Sequence, residues 1–520
     1  MVDLYGLVID TPESMGSFDS APSTLLDLLN SAPASQIAII APEQNVRLTY
    51  GQLKDQVQAV AEALAGSGIG RGDRVGIALP NGLPVIVSFL AASMAAIAAP
   101  LNPAYKTDEF RFYLEDTNAN VLLLPSSGAE EARRAAGDRV KIVAVEMDAA
   151  GTVSLSGMNG RQSFRAPCVD DVALILHTSG STGRPKRVPL SHANLSISAR
   201  NVARSYALRP DDVSLCVMPL FHVHGLVAST LATLATGGTV VVPGKFNPLS
   251  FWRVAQGCGA TWYSAVPTLH QLLLARAGSG SARPAGAGKL RFIRSCSASL
   301  PPQMMHDLEA AFGAPVLEAY GMTEAAHQMA SNPLPPAARK AGSVGQGTDV
   351  RIAIMDDQGR ALAPGERGEV VIQGPNVIRG YENNPEANAT SFIDGWFRTG
   401  DQGYLDPEGY LVLVGRLKEL INRGGEKISP REIDEILLAH PAVAEAVCFG
   451  VPHPMWGEEV AAAVVLREAA SEAELLAHCR ERLAEYKRPK QIHITEAIPR
   501  TATGKIQRRV VAQVFLEKIS

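Results

Sequence analysis

Short apolar runs recur between Arg74 and Glu318: RVGIAL at Arg74, NVLLLP at Asn120, VALILH at Val172, TVVVP at Thr239 and KLRFIR at Lys289, with segments of helical character between them. That rhythm predicts parallel α/β units packed in layers. The most apolar stretch, Leu83 to Ala99, is shorter than a membrane span and is broken by Pro84, Ser88 and Ser93, so it reads as a buried helix. From about Asp349 the pattern changes to closely spaced strands and turns. VRIAIMDDQGRAL carries a Gln-Gly turn, GEVVIQG reads as a strand and YLDPEGYLVLVGR as a hairpin, which predicts a smaller β-rich subdomain. After Gly415, AVAEAVCFGV, EVAAAVVL and EAELLAHCRERLAEY alternate strand and helix signals in a compact tail. The expected fold class is therefore α/β. Layered α/β subdomains and a β-rich subdomain make up a large N-terminal body, residues 1–415, and a small α+β domain follows, residues 416–520. The Gly/Pro-rich insert ARAGSGSARPAGAGK, Ala275 to Lys289, reads as a mobile surface loop.

Composition narrows the function classes. A chain of 520 residues with 46% hydrophobic and 19% charged positions is that of a globular protein of two or more domains. A net charge of −4 provides no global basic field for nucleic acid or an anionic membrane, so any anion site must be local. The six cysteines are far apart with no C-x-x-C pair, which points to neither a zinc site nor a disulfide framework and fits a reducing cytoplasm. The N-terminal MVDLYGLVIDTPESMGS has acids and no basic segment before an apolar run, unlike a secretory signal.

Local chemistry concentrates first in HTSGSTGRPKRVPL, His177 to Leu190. The preceding residues are β-prone and those after Ser191 can form a helix, so the glycine segment reads as a loop between strand and helix. Gly180 and Gly183 can bring backbone N–H groups close to a ligand, while Ser179, Ser181, Thr182 and Lys186 supply donors for phosphate oxygens. An ordinary flexible Gly/Ser loop has the same composition. The G-x-x-x-x-G-K-[ST] spacing of a P-loop NTPase is absent. In EAYGMTEAAHQM, Tyr320 suits stacking on a base, Thr323 a phosphate and Glu324 a Mg²⁺ ion, although a turn with a capping Thr reads equally from these residues. Asp401, after a Thr-Gly turn, is suited to ribose hydroxyls with Arg416 assisting, or to capping its own turn beside a surface charge. Lys505, in PRTATGKIQRR, is either a point charge able to swing into a site or a solvated lysine.

Taken in order, TSGSTGRPK, YGMTE, FRTGD, GRLKELINRGGEKISP and PRTATGKI, spanning Thr178 to Ile506, resemble the signature set of the acyl-CoA synthetases in the adenylate-forming superfamily. The N-terminal third resembles the same family more diffusely. The resemblance implies a two-step reaction: a carboxylate attacks the α-phosphorus of MgATP to give acyl-AMP and pyrophosphate, and the CoA thiol then displaces AMP. It implies that Thr178, Ser179, Gly180, Ser181, Thr182, Gly183 and Lys186 hold the β- and γ-phosphates, Tyr320 stacks on adenine, Thr323 touches the α-phosphate and Glu324 binds Mg²⁺. Asp401 and Arg416 hold ribose, and Lys505 bridges carboxylate, ribose and α-phosphate during adenylation. Lys418 matches the hinge about which the small domain rotates, bringing Gly424, Gly425, Glu426 and Lys427 to the CoA side for the thioester step.

The acid is read from MPLFHVHG, SCSAS and the residues after YGMTE. Ser295, Ser297 and His327 place hydroxyls and an imidazole where ligases for fatty or aromatic acids are glycine-rich or apolar, and a second carboxylate would satisfy them. SCSASLPP, EAAHQM and ELINRGGEKISP look much like the branch that activates oxalate, which implies that His222, Ser297 and His327 contact a dicarboxylate. His222 also fits a plain pocket wall, and His327 a helix surface. Asn422 stands where many coumarate-type ligases have a lysine. A coumarate-like or medium-chain ligase and a non-catalytic adenylate-binding protein remain alternatives at this level; the partners expected are a small carboxylic acid, ATP and CoA.

Overall fold

The computed structural model describes residues 23–158, 160–178, 185–277, 283–500 and 506–516. Among them two large sheets are built from the expected apolar runs. In one, Arg74–Ile77, Ile97–Pro100, Val121–Pro125, Lys141–Met147 and Val172–Thr178 run parallel, with antiparallel strands at both edges. In the other, Thr239–Val241, Val213–Cys216, Trp262–Ala265, Phe292–Ser295 and Val316–Met322 are successive parallel neighbours. The helix Leu83–Ala95 is buried at every position except Pro84, which is why its sequence lacks a polar face. No helix among the described residues is long and apolar enough to cross a membrane.

The β-rich region is a five-stranded antiparallel sheet in which Trp396–Leu405 and Leu411–Arg416 form the expected hairpin, with Asp401 opposite Arg416. The C-terminal domain begins its own sheet at Ile421. Strands Val443–His453 and Gly457–Leu466 pair along their length and pack on helices Pro430–Leu438 and Glu472–Arg482 around a separate core of Ile421, Ile433, Val460 and Leu475.

One local expectation is corrected. The glycine segment does not join strand to helix: Lys186–Ser191 is a strand antiparallel to Val172–Thr178, with Thr178 opposite Lys186, and the helix His192–Ser205 starts only after it. The segment therefore lies between two antiparallel strands. Alternating Val188 and Leu190 bury their side chains beneath the sheet, and that burial outweighs the helix signals downstream. The helix instead takes Ser191 as its N-cap, through a capping box with Asn194.

Candidate active site

Three groups of side chains meet where the central strands end, the side on which open α/β sheets bind ligands. Val316–Met322 and His327–Ser331 form an antiparallel hairpin closed by the tight turn Thr323–Ala325. It therefore presents Tyr320, Thr323, Glu324 and His327 within one short reversal of chain. Gly321 is required there, since a Cβ at that position would lie 2.2 Å from the His327 carbonyl oxygen and 3.0 Å from its Nδ1. Gly321→Ala is expected to lower kcat/KM for the acid at least ~10-fold, because the only relief is to displace His327; steady-state kinetics with each substrate varied checks it.

Asp401 is buried and accepts hydrogen bonds from the Tyr320 hydroxyl and from Arg416 Nε, the latter at 2.9 Å. Burial, then the Asp401 charge, pushes the Tyr320 hydroxyl well above its ordinary value, so it stays protonated as a donor. Arg416 is raised chiefly by Asp401, and its half-exposed side chain keeps one edge open to a ligand.

Thr178 and Lys186 are register partners on the two antiparallel strands; Ser179, Gly180, Ser181, Thr182 and Gly183, expected to hold phosphates, lie outside the described residues. Lys186 Nζ sits 4.5 Å from the centre of the Tyr381 ring, and the Tyr381 hydroxyl donates to Glu324 Oε1 at 2.9 Å. Burial holds Lys186 below its ordinary value, with Glu324 pulling the other way. Tyr381 thus ties the phosphate lysine to the buried carboxylate. It was not anticipated, and its only sequence signal is an aromatic between Gly380 and Glu382. A cavity of about 610 Å³ beside them is lined by Lys186, Arg187 and Lys418 on its basic side and Asp116, Glu382 and Glu386 on its acidic side.

The acid group is more polar than the sequence suggested. Ser297 and His327 both have left-handed backbones, φ 73° and 126°. They converge on two residues not anticipated, His224 and Arg294. His224 Nδ1 lies 3.0 Å from Ser297 Oγ, its Nε2 2.6 Å from Ser264 Oγ, and its ring 5.2 Å from that of His327. Arg294 is fully buried and donates from Nε to the Tyr206 hydroxyl at 2.9 Å, from Nη1 to Ser264 Oγ at 3.0 Å and from Nη2 to Gln328 Oε1 at 3.0 Å. It also reaches His224 Nε2 and His327 Nδ1, each at 3.4 Å. The signal for Arg294 was a basic residue inside the apolar strand run RFIRS, two positions from Phe292 and so on the same face. His222 lies two residues before His224 with its ring 4.9 Å from Phe221. His327 is strand-borne and 2% exposed, not a helix-surface residue. The loop that carries Ser297 is anchored by Glu318, which accepts from the Leu300 N–H at 2.9 Å; burial pushes its carboxyl up to about 7.

In the small domain Lys418 sits mid-turn in Leu417–Glu419, between the last strand of the β-rich sheet and the first of the C-terminal one. Gly424 and Gly425, φ 61° and 96°, form the turn of the next hairpin, with Glu426 and Lys427 exposed beyond it. Lys505 lies outside the described residues. Lys418→Pro is expected to slow thioester formation at least ~10-fold more than adenylation, since a fixed φ restricts rotation between two domain orientations. Single-turnover rates of the two half-reactions test it, and wild-type rates in both would remove the hinge role.

The family model of AMP-binding enzymes matches residues 29–382, and that of the AMP-binding enzyme C-terminal domain matches residues 432–505. The oxalate–CoA ligase of Arabidopsis thaliana is 48% identical over 486 residues, covering 91% of this chain and 94% of that protein. The oxalate–CoA ligase of Saccharomyces cerevisiae is 44% identical over 521 residues, covering 93% and 95%. The crystal structure of ATP-bound MatB from Rhodopseudomonas palustris superposes with a TM-score of 0.88 at 31% identity, covering 96% of this chain and all of that one. With two family models matching along the chain and relatives at 44–48% identity covering more than nine-tenths of both partners, the chain belongs to the AMP-binding enzyme family.

Proposed function

We propose that this chain is an AMP-forming acid–CoA ligase and that its acid is oxalate. The observation that carries the choice of acid is the fully buried Arg294, which takes part in no ion pair among the described residues and is surrounded by Ser264, His224 and His327. An isolated buried cation is costly, and a second carboxylate on the substrate offsets it. Identity of 48% and 44% to two oxalate–CoA ligases supports the same reading.

In the first step a carboxylate oxygen attacks the α-phosphorus of ATP and pyrophosphate leaves; in the second the CoA sulfur attacks the acyl carbon and AMP leaves. A free carboxylate is a poor electrophile, and the mixed anhydride supplies the leaving group. The protein's part is positioning and charge neutralisation. Residues 1–415 hold ATP and the acid, and residues 416–520 carry Lys505. Asp401 and Arg416 hold ribose against Tyr320, Thr178 through Lys186 surround the terminal phosphates, and Thr323 meets the α-phosphate. Ser297, His327 and His222, joined by His224, orient the acid. Lys418 is the hinge that exchanges Lys505 for the Gly424–Lys427 face. The described residues contain no cluster of three or more metal-ligating side chains. Glu324, a buried carboxylate that accepts from the Tyr381 hydroxyl, would hold Mg²⁺ together with substrate phosphates and water, where the ion would neutralise phosphate charge. The six unpaired cysteines fit the cytoplasm as its compartment, which cell fractionation would check.

Pyrophosphate release measured with oxalate, malonate, acetate, octanoate and coumarate tests the choice of acid. Oxalate is expected to exceed every monocarboxylate in kcat/KM by ~100-fold or more, since each unpaired polar group left by an apolar acid costs about 1–3 kcal/mol. A preference for any monocarboxylate removes the assignment.

A further inference from the structure

Arg294 has five N–H groups, and each faces a neutral acceptor. A guanidinium only donates, so every imidazole nitrogen turned toward it must accept. His327 does so at Nδ1, which puts the ring hydrogen on Nε2. On the other branch Ser264 Oγ accepts from Arg294 and donates to His224 Nε2, so His224 carries its hydrogen on Nδ1 and donates to Ser297 Oγ. Ser297 in turn is left to donate its own hydrogen onward. Two hydrogen-bond chains therefore start on one buried cation, one running through Ser264 and His224 to Ser297 and the other to His327. Ser264 and Arg294 are register partners on adjacent strands, so the hub sits on the most rigid part of the sheet.

We propose that Arg294 is a positioning residue that makes the pocket select a doubly charged acid, orienting the Ser297 and His327 donors and supplying positive potential without touching the substrate. This rests on the dicarboxylate reading above. The titratable groups facing Arg294 are Tyr206, His224, His327, Cys296 and His270. Burial pushes the Tyr206 hydroxyl up and the His270 ring down to about 4, so neither changes charge near neutrality.

The test compares oxalate with oxamate, an isostere in which an amide replaces one carboxylate, by pyrophosphate release from wild type, Arg294→Gln and Arg294→Lys. Wild type is expected to prefer oxalate, which carries the second negative charge that oxamate lacks. Arg294→Gln is expected to lose roughly 30- to 100-fold in kcat/KM for oxalate, mostly in KM, against about 3-fold or less for oxamate, with KM for ATP unchanged. Arg294→Lys should restore part of the oxalate loss, since it returns the positive charge without the planar guanidinium. Equal losses for both acids in Arg294→Gln, or no recovery with Arg294→Lys, overturn the role. Should Arg294→Gln fail to fold, Arg294→Lys decides: a rise in KM that is larger for oxalate than for oxamate supports the proposal, and equal changes for both acids overturn it. A wild type that uses oxamate as well as oxalate overturns the dicarboxylate reading first, before any variant is considered.

Discussion

Replacing Lys505 with alanine is expected to slow adenylation by ~1000-fold or more while leaving thioester formation from supplied oxalyl-AMP within about 3-fold of wild type. The reason is where charge accumulates. During attack on the α-phosphorus, negative charge is shared among the incoming carboxylate, the α-phosphate and the departing pyrophosphate. A preorganised cation at that point is worth ~100- to 1000-fold by itself, and more where water is excluded. In the second half-reaction the acyl carbon is attacked and the pyrophosphate has gone, so the same charge has little to stabilise. Rapid-quench measurement of each half-reaction separates the two. Equal loss in both would show that Lys505 supports the fold or the closed state rather than the adenylation chemistry.

The second large effect belongs to the acid pocket. His327→Ala should reduce kcat/KM for oxalate by roughly 10- to 100-fold and leave acetate within a few-fold. A lost charge-assisted hydrogen bond costs about 1.5–3 kcal/mol, and about 1.4 kcal/mol is a factor of ten. Affinity for ATP should hold, because the nucleotide contacts proposed on the same hairpin, Tyr320, Thr323 and Glu324, precede His327 in the chain. The substitution also leaves one Arg294 N–H without its acceptor, which places the expected loss toward the upper end of the range. Steady-state constants for oxalate, acetate and ATP in wild type and variant decide it. A uniform loss across acids would mean that His327 holds the hairpin and does not read the substrate.

Much of the proposed nucleotide side is legible in the sequence because its parts are local. YGMTE lies within one hairpin, and Asp401 and Arg416 are linked by the YLDPEGYLVLVGR turn that the sequence marks, so their pairing follows from adjacent strands. The predominantly apolar run of Leu83–Ala95 was likewise visible in contiguous residues. The glycine segment was misjudged in its setting because the strand after it is short and precedes a strong capping signal at Ser191.

Family membership, the α/β layering and the order of the chemistry-bearing motifs were determined by the sequence alone, since each is written in contiguous residues or in local period. Which residues cluster with Ser297 and His327 was decided only by the tertiary structure. His224, Ser264, Arg294 and His327 are drawn from four separate elements. They meet because Trp262–Ala265 and Phe292–Ser295 are hydrogen-bonded neighbours, with Ser264 opposite Arg294, while the hairpin after Val316–Met322 folds over their ends. Tyr381 reaches Glu324 and Lys186 in the same way, from a segment 57 residues beyond Glu324. Register between distant strands is set by summed backbone hydrogen bonds and burial over the whole sheet, quantities that no local window of sequence contains.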